Sequence, residues 1–136
     1  MTGKLDWKWI AIGVVLMVVL NLIAGFVLAL VLGSNLEGVS DVEDITLSGS
    51  QVVLVVSINI LTFALGGFIV GVKSAGRTII EPGISAAVAV IITLVVSGNF
   101  TIVNLLAAGL LPFVAGVVGG WLGELRHPAP RSDRRP

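Results

Sequence analysis

Residues 59–83 read NILTFALGGFIVGVKSAGRTIIEPG. The stretch begins as an uncharged apolar run and thins to glycine at Gly66, Gly67 and Gly71. It meets Lys73 and Arg77 in a short basic turn, then enters a second apolar run through Glu81 and Pro82. Proline suits a first helical turn, where its missing N–H has no partner to lose. The stretch therefore predicts two hydrophobic helices joined by a short charged turn.

The same pattern extends in both directions. Charged residues make up 12% of the chain, about half the share of a soluble domain, and mean hydropathy is +1.08. A chain this apolar has too few polar groups to cover its own surface, so lipid is its natural solvent. Four runs are long enough to span the bilayer core, at about 9–32, 51–72, 80–98 and 101–123. The fold class expected is all-α, an integral membrane bundle of four transmembrane helices. The first run exceeds the 7–15 apolar residues typical of a signal peptide and lacks a small-x-small cleavage site, so it reads as a retained helix. Residues 1–8 are a polar N-terminus, 33–50 an acidic loop, and 124–136 an Arg- and Pro-rich tail read as disordered. Gly98-Asn99 marks a tight turn, and Pro112 marks a kink in the fourth run.

The eight basic residues are Lys4, Lys8, Lys73, Arg77, Arg126, Arg131, Arg134 and Arg135. With four spans they all fall on one side, and the loop holding Glu37, Asp41, Glu43 and Asp44 falls on the other. The bias of Lys and Arg toward the cytoplasm predicts a multi-pass protein of the cell (inner) membrane with both termini cytoplasmic. Trp7, Trp9 and Trp121 then lie at the cytoplasmic interface, where indoles prefer to sit.

Sliding the chain by 50 residues sets Val53, Leu61, Phe63 and Gly66 on Val103, Leu111, Phe113 and Gly116. Two tandem hairpins related by an axis along the membrane normal would give this pattern. Chance alignment of Val- and Leu-rich helices is the plainer explanation.

The candidate functional residues fall in three groups. Small residues four apart put glycine on one helix face and let backbones approach closely. Gly66, Gly67 and Gly71 supply such a face in the second run, and Gly116, Gly119, Gly120 and Gly123 in the fourth. Gly109, Pro112, Gly116, Gly120 and Gly123 share one side of that helix, with Ala108, Ala115 and Gly119 on another, so it is built to touch two neighbours. The intramembrane polar residues are Asn21, Asn59, Thr62 and Asn104. Asn21 and Asn59 fall at similar depth and are expected to bond each other as an interhelical clamp; with Thr62 they alternatively line a polar path. Glu81 is expected to cap the third helix and to pair with Lys73 or Arg77 at the interface.

Several chemistries find no support. Cysteine is absent, which excludes disulfides, thiolate metal sites and cysteine nucleophiles. The carboxylates at 41, 43 and 44 lack the spacing and glycine of a calcium loop, and His127 precedes Pro128 in the tail. No catalytic, cofactor or metal motif is expected. The protein reads as non-enzymatic, with the lipid bilayer, itself or another membrane protein as partner. Anionic lipid is a further partner for the Arg-rich tail, and no nucleic acid is expected.

The segment GGFIVGVKSAG, residues 66–76, resembles a signature of small four-helix bacterial membrane proteins of the YrzE type. There a double glycine near a helix end leads through G-x-K-[AS] into a cytoplasmic turn. The resemblance covers roughly residues 65–98. It implies four spans and brings no activity and no catalytic residues.

Overall fold

A computed structural model describes residues 5–33, 48–74 and 79–126 of the chain. Among these residues the protein is an all-α bundle of four helices, each long and apolar enough to cross a membrane. They are α1 (Trp7–Gly33), α2 (Gly49–Lys73), α3 (Ile80–Ser97) and α4 (Ile102–Arg126). The acidic loop at 41–44, Arg77 and the tail beyond Arg126 lie outside the described residues.

Local capping sets the helix ends, and three differ from the hydropathy reading. α1 begins at Trp7 rather than residue 9, because the Asp6 carboxylate accepts the Trp9 N–H at 3.3 Å and caps the first turn. α2 begins at Gly49 because Ser48 and Gln51 form a reciprocal capping box, which satisfies two otherwise orphaned donors. α4 continues past Gly123 through Glu124, Leu125 and Arg126, so the tail starts later than its composition suggests. The Arg126 guanidinium lies 5.8 Å from the Phe68 ring centre, and a cation also suits a helix C-terminus. The shortest span, α3, stops where Gly98 turns left-handed at φ 64°, a conformation that costs glycine little.

Pro112 acts on α4 in a specific way. Residues Leu105–Leu110 form a π-turn, and the Leu111 N–H bonds the Leu106 carbonyl five residues back. Pro112 has no N–H and its ring crowds the carbonyl four residues earlier. The wider turn takes up that crowding, as π adjustments do around prolines inside membranes.

Contact pairs fix the topology. Gly13 lies against Val70 and Gly66 against Met17, so α1 and α2 are antiparallel. Gly120 lies against Pro82, Gly116 against Ala86 and Gly109 against Leu94, so α3 and α4 are antiparallel too. Asp6 meets Glu81 and Ile10 meets Ser85, so α1 and α3 run the same way. α2 and α4 also run together, as shown by Gly67 beside Gly116 and Gly71 beside Gly120. Asp6, Ser74, Ile79 and Arg126 consequently lie at one end of the bundle. Among the described residues the backbones of every helix pair come close except those of α1 and α4.

The core sits at mid-bundle. Met17, Phe63, Ala86, Ala89 and Val90 are buried together, with Val18, Leu94, Phe113 and Ala115 packed around them. Two glycines 50 positions apart play the same part in it: Gly66 receives Met17 of its own hairpin, and Gly116 receives Ala86 of its own. The 50-residue offset carries α2 onto α4, whereas the partners Met17 and Ala86 are 69 positions apart.

Candidate functional site

The glycines build the first arrangement. α2 and α4 form the most extensive helix pair, and their contact is backbone against backbone. A Cβ on Gly67 would collide with the Gly116 carbonyl, one on Gly71 with that of Gly120, and one on Gly119 with that of Ala64. A Cβ on Gly123 would strike the Phe68 carbonyl and lie 2.9 Å from the Val72 nitrogen. No residue but glycine fits this seam. The double glycine splits its duties, with Gly66 taking the Met17 side chain and Gly67 taking α4.

α4 does touch two neighbours. Gly109, Gly116 and Gly120 face α3, whereas Gly119 and Gly123 face α2. Gly123 packs with Gly119 against α2, since regular helical spacing puts it on the helix between Gly119 and Gly116. Gly13 went unread in the sequence. A Cβ there would lie 2.5 Å from Val70 Cγ2 and 2.7 Å from Ser85 Oγ, so it marks the point where α1, α2 and α3 meet. Its only sequence signal is that it is a lone glycine in the basic-side half of α1.

The intramembrane polar residues form the second arrangement. Asn21 Nδ2 donates to Asn59 Oδ1 at 3.5 Å, a long bond joining α1 and α2, and both residues are half-buried. Thr62 is buried, and its hydroxyl donates back to the Ile58 carbonyl at 2.8 Å, so it offers nothing to a solute. Asn104 lies near the start of its span, Ile102–Arg126. It sits in the first turn of α4, where its N–H bonds Thr101 Oγ1 and its side chain donates to the Asn99 carbonyl at 2.5 Å. Asn21 borders a groove of about 190 Å³ between α1 and α3, together with Thr93 and Ser97. Both of those hydroxyls are spent on carbonyls of their own helix.

The third arrangement surrounds Glu81 and departs from expectation. Glu81 is fully buried. Its Oε1 accepts the Asp6 backbone N–H at 2.7 Å, so the first turn of α3 is tied to the start of α1 rather than to Lys73, which is exposed at the end of α2. Arg77, the other expected partner, lies outside the described residues. Ser85 reinforces the same junction, with its hydroxyl 3.1 Å from the Ile10 carbonyl and 2.9 Å from that of Glu81. Glu124 lies within electrostatic reach of Glu81.

These features define a multi-pass membrane protein: a closed four-helix bundle sealed by a glycine seam, with its few polar groups mostly paired inside. Comparison with known proteins adds no identity, since no protein-family model, curated protein or solved structure matches the chain.

Proposed function

We propose that this protein is a non-enzymatic membrane subunit that works by assembly, either with further copies of itself or with a different membrane protein. The YrzE-like turn fits this reading. So does the orientation in which the end of the bundle holding Asp6, Lys73 and Arg126 faces the cytoplasm of a bacterial cell. The observation that carries the proposal is the closed core. Met17, Phe63, Ala86 and Ala89 are all buried at mid-bundle, which leaves no route along the centre of one chain. The glycine seams are consumed within the chain, so contacts with other subunits run through the larger apolar side chains on the outer faces.

A polar path through Asn21, Asn59 and Thr62 is the competing reading. The groove beside Asn21 is the feature that favours it; the Asn21–Asn59 bond and the back-bonded Thr62 hydroxyl weigh against it. Flux from liposomes containing the purified protein separates the two. Leakage of ions and small solutes at the level of empty vesicles is expected. Flux well above that level which disappears in Asn21→Leu, with folding intact, would replace assembly by transport.

A further inference from the structure

We propose that Glu81, Glu124 and Ser74 form a binding site for a divalent cation at the end of the bundle where α2, α3 and α4 converge. Three oxygens carry the inference. Glu81 is fully buried, and although its Oε1 takes the Asp6 N–H, its Oε2 has no hydrogen-bond partner. Glu124 Oε1 and Ser74 Oγ are likewise enclosed and unpartnered. Buried polar atoms in folded proteins are nearly always satisfied, and a buried carboxylate needs a counter-charge or a proton. Three such atoms at one end of a small bundle form a coherent set.

Helix packing places them in one layer. Gly120 of α4 lies against both Gly71 of α2 and Pro82 of α3. Ser74 lies one turn beyond Gly71, Glu124 one turn beyond Gly120, and Glu81 immediately before Pro82. Glu124 lies within electrostatic reach of Glu81. α2 and α4 end here while α1 and α3 begin here, so the helix poles at this end largely cancel. Among the described residues no side-chain cation is shown beside the carboxylates: Lys8 and Lys73 are exposed, and the Arg126 guanidinium lies over Phe68.

The donor set points to a hard cation, which prefers carboxylate, hydroxyl and carbonyl oxygen. Two carboxylates match a double charge. Among the described residues no third carboxylate or histidine joins the group, so backbone carbonyls and water would complete the shell.

The test is calorimetric titration of the full-length protein in detergent with Ca²⁺, Mg²⁺ and Mn²⁺ in turn. One site per chain is expected for at least one of these ions. Glu124→Gln is expected to weaken it at least tenfold and Ser74→Ala severalfold. A variant with Asp41, Glu43 and Asp44 all neutralised is expected to bind like wild type. Glu81→Gln is expected to abolish binding, and if that variant does not fold, the half-buried Glu124 and Ser74 still decide the matter. No binding by wild type, unchanged binding in Glu124→Gln, or loss confined to the 41–44 variant would each overturn the proposal. Binding that appears only in Arg77→Gln would overturn it as well, because a guanidinium would then be the counter-ion.

Discussion

Replacing Gly67 with alanine tests the backbone seam directly. The new Cβ would be driven into the Gly116 carbonyl, with the carbonyl carbon at 2.8 Å and Cα at 3.0 Å. Ordinary contact begins at 3.4 Å, so the carbon alone requires a separation of at least 3.4 − 2.8 = 0.6 Å, and the oxygen requires more. Neither side can yield by rotating a side chain, since both are helix backbone. α4 must move as a body, which also opens the Gly71–Gly120 and Gly119–Ala64 contacts. Overpacking of a tight interior costs about 1–3 kcal/mol, and Gly67→Ala is expected in the upper part of that range. Gly25 is the control. A Cβ there meets nothing within 4 Å, and removing an exposed helical glycine gains roughly 0.5–1 kcal/mol at most. The two substitutions add the same methyl group and are expected to shift stability in opposite directions. Unfolding in mixed micelles by graded denaturing detergent measures both. Gly67→Ala combined with Gly71→Ala is expected to cost less than the sum of the two, because helices already parted meet a second methyl more easily. Gly67→Ala as stable as wild type would refute the seam.

Other substitutions probe the remaining junctions. Asn21→Leu removes one long hydrogen bond and is expected to cost about 0.6–2 kcal/mol in the same assay; a larger loss would mean that the Asn21–Asn59 pair does more than clamp α1 to α2. Asp6→Ala removes the cap of α1 and is expected to cost about 1 kcal/mol, read as earlier unfolding and reduced helical circular dichroism. Asp6→Asn, which retains a capping oxygen, is expected to recover most of it. For orientation, a single cysteine at Ser40 is expected to react with an impermeant maleimide added outside intact cells, while one at Lys8 reacts only after permeabilisation. The opposite labelling would invert the proposed topology.

Much of the fold is legible in the sequence because the bilayer simplifies the problem. Uncharged runs of sufficient length must be helices, since only intra-segment hydrogen bonds satisfy their backbone. The seam was half legible. The four-residue spacing marks Gly67, Gly71, Gly116 and Gly120 as close-packing positions, yet nothing in it tells which neighbour each glycine meets, because that depends on how the four helices are arranged around one another. Helix ends are less legible than spans, because capping groups set them: Asp6 caps α1, Ser48 with Gln51 caps α2, and α4 runs on to Arg126. The environment of Glu81 was the least legible. A glutamate between isoleucines beside a basic turn reads as an interfacial ion pair, and only the fold brings the start of α1 over it and Glu124 near it, 75 and 43 residues away along the chain.

Native mass spectrometry of the protein released gently from its own membrane tests the central claim most directly. The account predicts that the chain emerges bound, to further copies of itself in a fixed ratio or to a distinct membrane protein. A chain that emerges alone, folded and stable under conditions that keep other membrane complexes intact, would contradict the assembly role.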